Sequence, residues 1–175
     1  TEKKPVWTGT VPPNAGPAAL DWGLGGAGAV DLGGGAPLEQ LKNLKSFTIS
    51  GWTIVMEARE GAASKEAGAG NRIVSWFNPV KQFEGVELIH RADGSLQLGV
   101  NQWADQSPAK SPIEQLPVYD PKAKEAGGEQ WQKWRFFAVT YDSTAAAGHV
   151  KFYFGTRNAD AKAAGAVDYA RGTSG

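Results

Sequence analysis

At 175 residues the chain has the length of one domain and can bury a hydrophobic core without covalent staples. Lys plus Arg and Asp plus Glu each number 18, so the formal net charge is zero and there is no electrostatic footprint for nucleic acid or an anionic membrane surface. No apolar run approaches the length of a membrane span, and with no cysteine neither disulfides nor thiolate metal sites are available.

Glycine (23) and tryptophan (7) are frequent and methionine occurs once, which favours a turn-rich β protein over a helical one. Residues 1–28 are rich in Pro and Gly and read as an extended segment with one short strand near Val6–Thr8. Residues 29–33 read as a second short strand, and Leu38, Leu41 and Leu44 have the spacing of one or two helical turns. Residues 46–57 read as a central strand with Phe47 and Ile49 on one face and Trp52 on the other, and Gly51 as a bulge.

Further strands are expected at 72–78, 85–91 and 95–101, the last two joined by an Asp93-Gly94 hairpin turn. A long connection from 102 to 132 carries Pro108, Pro112, Pro117 and Pro121; loops of this length are often functional. Strands at 134–142 and 149–155 form a second hairpin, and 156–175 reads as a loop-rich tail. The expected core is Phe47, Ile49, Trp52, Leu98, Phe136, Ala138, Val150 and Phe152. Many strands with turn signals and no long helical period define a single all-β domain over residues 1–175, a sandwich or a barrel.

The order of Ala29–Gly33, Ser46–Trp52, Arg72–Ser75, Gly85–Leu88, Asp93–Val100, Trp134–Asp142 and Val150–Tyr153 resembles a bacterial laminin G-like domain of the concanavalin A-like lectin/glucanase superfamily. That resemblance spans about residues 29–155. It implies a two-sheet antiparallel jelly-roll sandwich and a non-catalytic role in glycan binding, adhesion or protein contact on a secreted, periplasmic or cell-surface protein. It also leaves room for one structural calcium ion, with no other cofactor required. The chain departs from the family pattern at Phe154-Gly155-Thr156 and lacks the family's closing hairpin before Gly175. The expectation is therefore a domain without its final hairpin, and an open sheet edge that takes more chain or a partner protein's strand.

The glucanase branch uses paired carboxylates in a Glu-x-Asp-x-x-Glu pattern, which is absent. Glu57, Glu60, Glu84 and Glu87 read as solvent-facing charges, and there is no Gly-x-Ser-x-Gly elbow to draw on His90 or His149. His90 shares a face with Val86 and Leu88 and reads as a core-edge histidine; His149 opens a strand and reads as exposed. Sugars are bound by an aromatic ring beside amide hydrogen-bonding groups. Strand alternation suggests one face displaying Trp76, Gln97 and Asn101, with Trp103 and Asp105 just beyond the strand end. Trp52, Trp76 and Trp134 sit inside strands and favour a core, while Trp103 and Trp131, bracketing the long connection, suit core packing or ligand contact alike. Asp31, Asp105, Asp120 and Asp142 are the candidate calcium carboxylates, and each also suits a turn.

Overall fold

The computed structural model describes residues 6–8, 19–21, 44–55, 71–77, 84–117 and 134–173. Nine strands occur among them. Strands β1 (Val6–Thr8) and β2 (Ala19–Asp21) form a small antiparallel pair. Strands β3 (Ser46–Thr53), β7 (Arg135–Asp142), β8 (Val150–Thr156) and β9 (Ala159–Val167) form a four-stranded sheet in the order β3-β7-β8-β9. Strands β4 (Asn71–Phe77), β5 (Gly85–His90) and β6 (Leu96–Val100) form a three-stranded sheet in that order. All pairings are antiparallel. The expected strand at 29–33 and the helical turns over 38–44 lie outside the described residues except for Leu44, which is not helical.

Both expected hairpins form. Gly94, at φ 76°, closes the β5–β6 turn, where Gly94 N–H donates to the Arg91 carbonyl over 2.9 Å. Gly148, at φ 61°, ends the β7–β8 turn, where Asp142 N–H donates to the His149 carbonyl over 2.8 Å. Left-handed backbone of this kind suits glycine because it lacks a Cβ.

The two larger sheets share one core. Val86, Leu88, Leu96, Leu98 and Val100 of the three-stranded sheet pack with Phe137, Val139, Tyr141, Val150 and Phe152 of the four-stranded sheet. Phe47 and Ile49 are half-buried against this cluster, as their facing predicts. Leu98, Val150 and Phe152 are fully buried, also as expected.

The facing of β7 differs from the expectation. Phe137, Val139 and Tyr141 point into the core, whereas Phe136 and Ala138 are half-buried on the opposite face. Trp52 shares that outer face, with its ring edge-on to Phe136 at 5.6 Å between centroids. Phe136 and Phe137 are adjacent and equally apolar, so the pair itself carries no facing signal. The polar residues decide: turning Phe136 and Ala138 inward would bury Thr140 and Asp142 with them.

Gly51 is not a bulge, since β3 and β7 pair without interruption from Ser46↔Asp142 to Thr53↔Arg135. A Cβ at Gly51 would meet the Phe137 ring only at ordinary contact distance, 3.5 Å. The register shift falls instead in β4, between Arg72 and Val74.

The tail expectation is also corrected. Residues 159–167 form β9, and Thr156 Oγ1 accepts from Asn158 N–H at the turn into it. After β9 the chain crosses from one sheet to the other. Tyr169 is buried in the core with its ring edge-on to Tyr141. Its hydroxyl accepts from Val100 N–H at 2.8 Å and from Gln102 Nε2 at 2.6 Å. A segment of small and charged residues thus ties the sheets together through one aromatic side chain, a contact that mean composition could not signal.

Candidate functional site

The outer face of the three-stranded sheet is covered by its own chain. Residues 109–111 run beside β6: Leu98 N–H donates to the Ala109 carbonyl and Ser111 N–H to the Leu96 carbonyl. Just before them, the short 3-10 helix Ala104–Gln106 lies on Gly99. A Cβ there would meet the Gln102 carbonyl oxygen at 2.3 Å and Ala104 N at 2.7 Å, so only glycine permits the approach.

Polar groups on this face, and His90 at the edge of the opposite, core-facing side, are engaged by residues 102–117. Glu87 is buried, accepts from Arg72 Nε, and accepts from Ala104 N–H at 3.2 Å. It is not the solvent-facing charge expected from the sequence. His90 is buried, as a core-edge histidine should be, and its Nε2–H donates to the Leu116 carbonyl at 2.7 Å. Lys110 Nζ pairs with Asp93 at 2.6 Å and fastens the cover to the β5–β6 turn.

The sugar-binding residues expected from sequence fall in or under this cover. Gln97 is buried, and its amide donates to the Ser107 carbonyl at 2.6 Å. Trp76 faces the other way, packing on the core with its ring 6.4 Å from Phe47. The β4 register shift is why simple alternation put Trp76 and Gln97 on one face. Asn101, at φ 53°, accepts from Gly85 N–H through Oδ1 at 3.1 Å and closes the end of the sheet. Trp103 and Asp105 are half-buried at the start of the 3-10 helix. These five residues do not form one displayed surface.

The candidate metal carboxylates also separate. Asp31 and Asp120 lie outside the described residues, as does Trp131. Asp142 Oδ1 accepts from Thr144 N–H at 2.8 Å and from Thr144 Oγ1 at 2.7 Å, which makes it a turn-forming residue. Those hydrogen bonds hold its carboxyl below the usual carboxylate range. Among the described residues no group of three His, Cys, Asp or Glu side chains is placed to hold a metal ion.

The outer face of the four-stranded sheet is different. Pairing sets its side chains in rows. Thr48, Thr140 and Lys151 lie side by side across β3, β7 and β8. The next row on one side is Ser46 and Asp142; on the other it is Ser50, Ala138 and Tyr153. A surface depression at this end of the sheet is lined by Ser46, Thr48, Thr140, Asp142, His149, Lys151 and Tyr153, with the 145–148 turn as its rim. The side chains of Ser46, Thr48, Thr140, Lys151 and Tyr153 form no hydrogen bond or ion pair with any described residue. Ala138 beside Tyr153 is small and leaves the ring a low neighbour.

The rim is held from below. Ser143 N–H donates to the Lys45 carbonyl, Gly148 N–H to Asp168, and Tyr169 N–H to His149 Nδ1 at 3.2 Å. With Nδ1 an acceptor, the ring proton of neutral His149 sits on Nε2. Sequence alternation already contained this surface: Ser46, Thr48 and Ser50 alternate with Phe47 and Ile49, and Thr140 and Asp142 with Val139 and Tyr141. Only the register brought the three strands' polar sides into rows.

Comparison of the chain with protein-family models, curated proteins and solved structures finds no match.

Proposed function

We propose that this chain is a non-catalytic, lectin-like carbohydrate-binding module of a secreted or cell-surface protein. In this reading its two sheets belong to a laminin G-like, concanavalin A-type jelly roll. Its sugar lies in the depression on the outer face of the four-stranded sheet rather than beside Trp103. One observation carries the reading. Tyr153 pairs across the strands with small Ala138, next to a row of hydroxyl and ammonium groups that no described residue engages. An aromatic ring can stack on the apolar face of a sugar ring while neighbouring hydroxyls bond its OH groups. A site on a strand scaffold holds such groups in fixed positions.

The competing reading is a protein-interaction module that recruits a strand at an open sheet edge. Strand β9 ends the four-stranded sheet among the described residues, but it carries two register shifts against β8 and the exposed charges Asp160 and Lys162. Bulges and edge charges are the devices that blunt strand recruitment, so the edge favours the sheet-face reading.

The test is a glycan array followed by calorimetry with the best ligand. Tyr153→Ala should weaken binding at least tenfold while the melting temperature moves by no more than about 2 °C, as for a surface substitution. Trp103→Ala should leave affinity unchanged. Retained affinity in Tyr153→Ala, or its loss in Trp103→Ala alone, would return the site to the Trp103 end of the molecule.

A further inference from the structure

Resting on that reading, we infer that the ligand carries an anionic group, a sugar carboxylate or a sulfate ester, held directly by Lys151 and His149 without a metal ion. The depression holds two nitrogen donors, Lys151 Nζ and the Nε2–H of neutral His149, beside hydroxyls that donate or accept and the Asp142 carboxylate. Lys151 forms no ion pair with a described residue, and its Cε would sit 3.6 Å from a Cβ at Gly148, so the chain lies along the rim turn. Gly148 itself is required by its backbone, at φ 61°, not by the space the lysine takes. His149 opens β8 at the same rim. Its Nδ1 is taken by Tyr169 N–H, so the neutral ring offers Nε2–H, a donor, to whatever occupies the depression.

Charges near this rim include Asp142, Asp168 and Arg171, the last acting on Tyr141. Asp142 Oδ1 receives both Thr144 donors and Asp168 Oδ1 receives Gly148 N–H, so each carboxylate already serves the turn. Thr48, Thr140 and Ser46 complete the lining with hydroxyls that can donate. An ammonium, an imidazole N–H and hydroxyls lining one depression can bond an acceptor-rich, negatively charged group, and charge-assisted hydrogen bonds are about twice as strong as neutral ones.

The experiment compares matched pairs of oligosaccharides by calorimetry in EDTA at low and moderate salt. One pair is oligogalacturonate and its methyl ester; the other is a sulfated galactan oligosaccharide and its desulfated form. One acidic member should bind at least tenfold more tightly than its neutral partner and lose affinity as salt rises. Which pair responds separates carboxylate from sulfate. Lys151→Gln should erase the preference for the acid, Lys151→Arg should keep it, and neither should shift thermal unfolding. Equal binding of the acidic and neutral members would overturn the inference. So would a preference that survives in Lys151→Gln or disappears in EDTA, or binding of only neutral glycans. Neutral binding that Tyr153→Ala removes would sink the anionic group and leave the sugar site standing. Absence of glycan binding altogether would sink both.

Discussion

The two larger sheets share a core but treat their outer faces in opposite ways. On the three-stranded sheet, residues 101–117 fold back, and Gln97, Glu87 and Asn101 bond to the chain's own backbone. On the four-stranded sheet, Thr48, Thr140, Lys151 and Tyr153 point outward with no such partner among the described residues. Buried polar groups must be satisfied internally, so a face satisfied by its own chain has little left for a ligand. The described part of the long connection, residues 102–117, proved to be a cover, and the plainer alternating strands hold the better binding surface.

Three experiments sharpen or break this contrast. Gly99→Val has the largest expected effect. Its side chain collides with backbone at Gln102 and Ala104, not with a movable side chain. Overpacking of this kind costs about 1–3 kcal/mol. Amide exchange at Ser107 and Leu98 should rise with it, because Ser107 N–H bonds to the Ala104 carbonyl within the 3-10 helix and Leu98 N–H to the Ala109 carbonyl beside β6. Unchanged exchange would mean the cover does not rest on Gly99.

Acid should loosen the same cover modestly. Burial raises the Asp93 pKa, but hydrogen bonds from Lys110 and Ser95 outweigh it and bring the carboxyl from 3.8 to about 2. A depressed folded-state pKa adds stability that is complete above about pH 4 and fades as pH falls toward about 2. The pair is partly exposed, so the contribution is below about 1 kcal/mol. Urea midpoints of wild type and Asp93→Asn should differ at pH 5 and converge near pH 2; a constant gap would remove the ion pair from the account. Smallest of all is Thr140→Val on the open face. Its hydroxyl engages no described residue, so stability should change by less than about 0.5 kcal/mol in the same assay. A loss above about 1 kcal/mol would show that this hydroxyl is engaged and the face is not open.

Much of the fold was legible from alternation and turn chemistry. Asp93-Gly94 announced its hairpin because that dipeptide accepts left-handed backbone, and strands rich in Val, Ile and Phe announced themselves by their pattern. The candidate site was legible only in part. Gln97 and Trp76 looked coplanar until the β4 register shift turned them to opposite faces. Glu87 looked exposed because local sequence does not reveal that Arg72 and Ala104 N–H converge on it.

By itself the sequence determined an all-β chain: strand segments, hairpin turns and the inward side of β3 follow from local residue preferences and period-two alternation. Tertiary structure alone decided which sheet face is covered, which residue ties the sheets together, and which polar rows align. The physical reason is that those facts depend on register and on contacts far apart in the chain. Tyr169 meets Val100 across 69 residues, and Thr48 meets Thr140 only through strand pairing. A one-residue slip in either strand would turn its whole polar row inward.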